Sequence, residues 1–216
     1  MLGQYERAAS DLFRSAFMDM DALASDVAAQ VRSPDNVLEI GCGEGILTEH
    51  LAAIYPHAAL TGIDICESPG RLYRGDAGRV RFLRASVADL ASAEQGRYDL
   101  VVIADVIHHV PLEERLPLLT GALDFLAPSG TVIFKEWLRE RSAICLASFL
   151  FERFITGDRV RYLRERELLA LATSVFGAHS VRGQFHIAPW HCNVALVIKA
   201  DPATTSPRAK SPAATS

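Results

Sequence analysis

The chain has 216 residues, half of them apolar and 22% charged, with a formal net charge of −4. That is the length of one domain with material for a full core, and the charge balance gives no overall field to draw in nucleic acid or an anionic membrane. The four cysteines, Cys42, Cys66, Cys145 and Cys192, are widely spaced without a C-x-x-C pair, which argues against a disulfide framework or a cysteine zinc site and for reduced thiols in the cytoplasm.

No basic, apolar, small-residue leader pattern opens the chain, so secretion is not expected. Residues 4–32 carry Tyr5, Leu12, Phe13, Phe17, Leu23, Val27 and Val31 among charges and alanines. That spacing predicts one or two amphipathic helices, and residues 1–36 are read as a helical cap before the sheet. Ser33-Pro34-Asp35-Asn36 is a turn, and a first strand follows at 37–41. A helix is expected at 46–55, a second strand at 59–64 ending on an acid, and a third at 79–83.

The near-continuous apolar run at 98–103 predicts a central strand buried on both faces. A helix at 116–126 should stop before the turn Ala127-Pro128-Ser129-Gly130, with a fifth strand at 131–134. Segment 137–166, rich in Arg and Phe, is expected to be partly helical and to form an insertion over the substrate. Its longest apolar run, 143–151, is too short to span a bilayer, so no membrane insertion is expected. A helix at 165–176 ends near Gly177, and two strands at about 179–186 and 192–199 close the core domain at 37–200. The Ala/Thr/Ser/Pro-rich residues 201–216 are expected to be a disordered tail. Alternating strands and helices place the chain among doubly wound α/β folds.

The most informative segment is Val37-Leu38-Glu39-Ile40-Gly41-Cys42-Gly43-Glu44-Gly45, an apolar strand followed by a turn with three glycines. Glycine admits positive φ and leaves room for a ligand to approach backbone. A dinucleotide fingerprint would read G-x-G-x-x-G, shaped around a pyrophosphate. Here the pattern is G-x-G-x-G, and Glu39 stands two residues before it. A carboxylate there suits a cationic ligand and opposes a pyrophosphate, which argues against a NAD-dependent oxidoreductase.

The string closely resembles motif I of the class I S-adenosylmethionine (SAM)-dependent methyltransferases, of the small-molecule type. The resemblance implies a Rossmann-like sheet of seven strands, mostly parallel with an antiparallel C-terminal hairpin strand and helices on both faces. It implies SAM as cofactor and S-adenosylhomocysteine (SAH) as product, with Glu39, Gly41, Cys42, Gly43 and Gly45 around the cofactor. Asp64, nineteen residues after Gly45, takes the place of the acid that accepts the ribose hydroxyls, with Ile65 beside it. Where family members often set an Asp against the adenine, this chain has Ser86, then Val87, with Asp89 three residues on. Ala104 and Asp105 fall where backbone faces the methionine end.

The run Asp105-Val106-Ile107-His108-His109-Val110 resembles the family segment lining the active site, with His109 at the position of a catalytic group. Glu136, in Lys135-Glu136-Trp137, is the second candidate base. Substrate-pocket candidates are His108, Trp137, Trp190 and His191. A zinc site would have to gather His108, His109, His186 and His191, and nothing in their spacing demands it, so no metal is expected. The seven arginines from Arg139 to Arg166 alternate with acids, which favours a solvated, ion-paired surface.

The expected function is methyl transfer to a small, partly apolar molecule, of the kind met in specialised biosynthesis, by a monomer or homodimer. Nucleic acid is not an expected partner, since no basic accessory region accompanies the core. A protein or nucleic-acid methyltransferase and a non-catalytic SAM-binding regulatory subunit are the alternatives.

Overall fold

The computed structural model describes residues 18–151 and 160–199. Helix α1 (Met20–Gln30) comes first; Asp19 caps it, its carboxylate accepting from the Ala22 N–H. Strand β1 (Asn36–Ile40) leads through the glycine turn into α2 (Ile46–Ile54). Strands β2 (Ala59–Asp64), β3 (Val80–Arg84) and β4 (Tyr98–Ala104) follow. Next come α3 (Leu112–Phe125), β5 (Leu126–Trp137), α4 (Ala143–Phe151) and α5 (Glu165–Phe176). The hairpin of β6 (Val181–His186) and β7 (Asn193–Lys199) completes the sheet.

The seven strands lie in the order β3-β2-β1-β4-β5-β7-β6. Pairs from β3 to β5 are parallel, while β7 is antiparallel to both β5 and β6. This is the expected seven-stranded sheet with its antiparallel C-terminal hairpin. Strand alternation then sorts the core into two layers. Leu38, Ile40, Val101, Ile103, Val132 and Phe134 face one way, onto Leu119 and Phe125 of α3 and Leu168 and Phe176 of α5. Val37, Leu60, Leu100, Val102 and Ile133 face the other way, onto Leu23 and Val27 of α1 and Leu47 and Leu51 of α2. Helices therefore cover both faces.

Two boundaries differ from expectation. Helix α3 begins at Leu112, earlier than 116, and carries Pro117 as its sixth residue, where the missing N–H removes one helical hydrogen bond. Strand β5 begins at Leu126, which pairs with Tyr98, and the ladder resumes at Thr131 opposite Leu100. The expected turn at 127–130 is thus a bulge inside one strand, with Pro128 and Ser129 thrown out to solvent. The expected helical residues Tyr5, Leu12, Phe13 and Phe17, along with Arg153, Arg159 and the tail at 201–216, lie outside the described residues.

Candidate active site

Strands β1 and β4 are neighbours, yet α2 returns over one face of the sheet and α3 over the other. A crevice opens at the carboxyl ends of the strands where connections diverge in this way, and ligands of open α/β sheets bind there. Here it forms a cleft of about 1770 Å³. That exceeds the roughly 300–1,000 Å³ of a single small-ligand pocket, so there is contiguous room for a cofactor and an acceptor.

The glycine turn forms the floor. Gly41, Gly43 and Gly45 all have positive φ, at 76°, 49° and 85°. A Cβ on Gly41 would meet Val106 Cγ2 at 2.3 Å, so that glycine lets the loop after β4 close against the turn. At Gly43 a Cβ would meet nothing within 4 Å, because the residue faces the open cleft. Gly45 does not line the cleft; it packs on Gly70 and starts α2 without a side-chain cap. Backbone bonds fix the turn from both sides: Gly41 and Cys42 donate to Ile63 O, and Gly43 O accepts from Gly70.

The acids sit around this floor. Glu39 is buried, and its Oε2 accepts from Thr48 Oγ1 at 2.5 Å. Asp64 accepts the Gly43 N–H on one carboxylate oxygen and the Cys66 N–H on the other, both at 2.8 Å. Each oxygen keeps a further lone pair for a ligand hydroxyl. Burial and the neighbouring Glu39 and Asp64 carboxylates push the Cys42 thiol up, so it stays neutral. Ile65 stands on the rim, 75% exposed, an apolar plate beside Asp64.

Across the cleft, Ser86 donates its hydroxyl hydrogen to Asp89 at 2.6 Å, and Asp89 also accepts the Ser86 N–H. Those bonds, chiefly the hydroxyl one, hold the Asp89 carboxyl below the usual range. With its hydrogen committed, the Ser86 oxygen presents lone pairs to the cleft. Asp89 therefore fixes the orientation of the Ser86 hydroxyl.

The end of the cleft beyond β4 rests on two hydrogen-bonded pairs, Lys135–Asp105 and Glu136–His108. Lys135, 0% exposed, donates to both oxygens of Asp105 at 2.6 Å, and Asp105 holds a φ of 58°, rare for a residue other than glycine. Glu136, 1% exposed, accepts from Val106 N, Ile107 N and His108 Nδ1, the last at 2.5 Å. His108 lies in the cleft wall, and the ring of the exposed His109 packs against it, tilted, with centroids 4.2 Å apart. Arg115, a buried cation outside the lining, donates Nε to Val110 O and Nη2 to Arg161 O, fastening the histidine loop from behind. Desolvation lowers the Arg115 pKa. Trp137 and Ser148 complete this end, and the Ser148 hydroxyl bonds to Tyr162 at 3.0 Å.

The fold thus gathers Glu39, Gly41, Cys42, Gly43, Asp64, Ile65, Ser86, Val87, Ala104, Asp105, His108, His109 and Trp137 around one cleft. Glu136 is brought close but lies behind the wall with its carboxylate engaged three times, so it does not reach a substrate as a base. Trp190 and His191 are not in the lining. Their loop is tied outward, Ala188 O accepting from Asp19 N, and this carries His191 into solvent, where its carbonyl accepts from His186. Trp190 packs half-buried on the core.

Lys135 stands in the charged strand end Lys135-Glu136-Trp137, where the sequence marks a place of interest without giving the lysine a partner. Arg115 and Ser148 carry weaker signs, the latter only as a lone serine in the apolar run at 143–151.

Among the described residues one trio has metal-ligand geometry, Asp105, His108 and Glu136. The Lys135 ammonium already holds both oxygens of Asp105, so the trio reads as an ion-paired network. Among those residues no helix is long and apolar enough to cross a membrane.

A family model described as a methyltransferase domain matches residues 11–188. The ubiquinone biosynthesis O-methyltransferase of Aromatoleum aromaticum is 32% identical over 142 residues, 61% of this chain and 59% of that protein. Its namesake from Vibrio campbellii is 28% identical over 145 residues, 62% and 60% of the two chains. The alignments thus span about three fifths of the length of these curated relatives. Among solved structures, the 1,6-didemethyltoxoflavin-N1-methyltransferase of Burkholderia thailandensis superposes with a TM-score of 0.65 at 18% identity, covering 93% of this chain and 92% of that one.

Proposed function

The chain belongs to the methyltransferase-domain family, the class I SAM-dependent methyltransferases, and on that premise we propose that it methylates a hydroxyl of a small, partly apolar aromatic molecule. The carrying observation is the floor of the cleft: an open Gly43 framed by Glu39 and Asp64. That donor set fits SAM, which is cationic at its methionine end and carries a ribose diol. Asp64 accepts the ribose hydroxyls, Ile65 covers the adenine, and Ser86 accepts from the adenine amino group. Glu39 faces the ammonium, and the uncapped start of α2 offers N–H groups to the carboxylate.

SAM supplies an electrophilic methyl carbon on a sulfonium. The remaining work is positioning and proton removal. Trp137 and Ser148 bound the acceptor end, and orientation there is worth on the order of 7–11 kcal/mol. His109, exposed to the cleft, would take the hydroxyl proton, while the oxygen–carbon bond that forms would replace the methyl–sulfonium bond of SAM and leave neutral SAH. Glu136 is a positioning residue, holding the backbone at Val106 and Ile107 and the ring of His108, against which His109 packs. Oxygen as the acceptor atom, in quinone or specialised biosynthesis, is favoured by the similarity to two O-methyltransferases of ubiquinone biosynthesis.

Calorimetry with SAM and SAH on the wild type and Asp64→Ala tests the cofactor half. SAM should bind to the wild type and weaken by roughly 10–100-fold in the variant, the net loss of about one charged hydrogen bond worth about 1.5–3 kcal/mol. Absence of binding to the wild type would refute it. For the acceptor half, His109→Ala should lower kcat by about 10²–10⁴-fold with SAM affinity kept.

A further inference from the structure

Charge along the cleft wall is one-sided. The described residues lining it include the carboxylates of Glu39, Glu44, Asp64, Asp105, Glu114 and Asp124, and neither Lys nor Arg. Of the surrounding cations, Arg71 pairs with Glu44. Among the described residues, two cations behind the acceptor end are walled off. Lys135 is fully buried and gives its ammonium to both Asp105 oxygens, whereas the Asp105 side chain keeps 26% of its surface exposed. Arg115 is also buried, spending Nε and Nη2 on the carbonyls of Val110 and Arg161 behind the histidine loop. His108 and His109 are the lining groups able to take positive charge, and a histidine acting as base is neutral when the acceptor arrives.

A carboxylate or phosphate entering this space would lose water and meet acids, and among the described residues it would find no guanidinium fork or ammonium in the lining to recognise it. A neutral ring loses little on entry, and an amine gains from the acids. Resting on the proposed methyl transfer to oxygen, we infer that the acceptor is an uncharged or cationic phenol or catechol, and that carboxylate-bearing rings are rejected. Asp105, held in place by Lys135, is the residue that sets this selectivity.

A matched series tests it: catechol, dopamine and protocatechuate, each supplied with SAM at neutral pH, following SAH release by wild type and Asp105→Asn. Asn accepts the left-handed backbone of this position. The exchange removes the carboxylate charge and leaves the Lys135 ammonium uncompensated beside the cleft. In the wild type, kcat/KM for catechol or dopamine should exceed that for protocatechuate by at least about tenfold, as like charges meet in the cleft. In Asp105→Asn the ratio should fall by about threefold or more, whatever the variant does to absolute rates.

Protocatechuate equal to or better than catechol in the wild type overturns the inference and leaves methyl transfer to oxygen standing. A ratio unchanged in Asp105→Asn removes Asp105 from the selectivity. If none of the three is methylated while SAH still binds in calorimetry, the acceptor class itself is wrong. Loss of SAM and SAH binding would instead strike at the proposed function.

Discussion

Glu136 governs a surface it does not reach. Its carboxylate accepts from two backbone N–H groups and one imidazole, so it sets the path of the loop that carries His109. In Glu136→Gln the side chain keeps one acceptor oxygen and gains an NH₂, which must point either at the two backbone donors or at His108. A buried mismatch of about 1–3 kcal/mol follows. The expected result is a fall in kcat of roughly 10–100-fold with SAH affinity nearly unchanged, because the glycine turn and Asp64 lie apart from the mismatch. Parallel calorimetry and steady-state kinetics check this. The charge cluster Lys135-Glu136-Trp137 stood out in the sequence as a place of interest. Its division of labour did not, because partners thirty residues upstream decide which charge faces which group.

At the level of elements, the edge of the sheet away from the cleft is held by another carboxylate. Glu94, on the short turn before β4, accepts from Arg81 of β3 at 2.9 Å, from the Tyr98 hydroxyl at 2.9 Å and from Arg97 at 3.3 Å. The Arg81 bond, first among these, holds the Glu94 carboxyl below its ordinary range. A carboxyl depressed in the folded state lends stability above its unfolded pKa and loses it as pH falls through the folded value. Arg81→Gln should therefore lower stability by about 1 kcal/mol at neutral pH, the net worth of one such bond to a charged group near the surface. The deficit should vanish once the medium is acid enough to protonate Glu94 in the wild type. Urea melts of both proteins across that range measure it. Elements with an unbroken apolar pattern, such as β4, were readable from the chain, as was the end of α5 at Gly177. The bulge in β5 was not: Pro128, Ser129 and Gly130 are turn residues, and pairing of Leu126 with Tyr98 across the sheet is what keeps the strand going past them. The early start of α3 was hidden by Pro117, which suggests a boundary where the helix tolerates an interruption.

For the whole molecule, the cleft joins loops after β1, β2, β3 and β4, so a ligand there ties four elements together. SAH at about 100 times its Kd should add roughly 2.7 kcal/mol. For a chain of this size that raises Tm by about 5–10 °C. The rise should shrink to about half or less in Asp64→Ala at the same SAH concentration, and differential scanning calorimetry reads both. The residues proposed to hold the cofactor were easy to single out, because they sit in one contiguous string plus an acid at a strand end, and the fold brings them to one cleft. The acceptor half was legible only in part. His108, His109 and Trp137 line the cleft, but Trp190 and His191 follow a loop whose course is set by Asp19, a contact that no local pattern announces. The turn from Gly41 to Gly45 has one more consequence. Its backbone is bonded within the protein to Ile63, Gly70 and Leu72. Ordering a residue removes about 1–2 kcal/mol of conformational entropy, and here that loss falls on folding. Binding can then proceed onto a surface already frozen in shape, so its affinity is not diminished by any disorder in the turn.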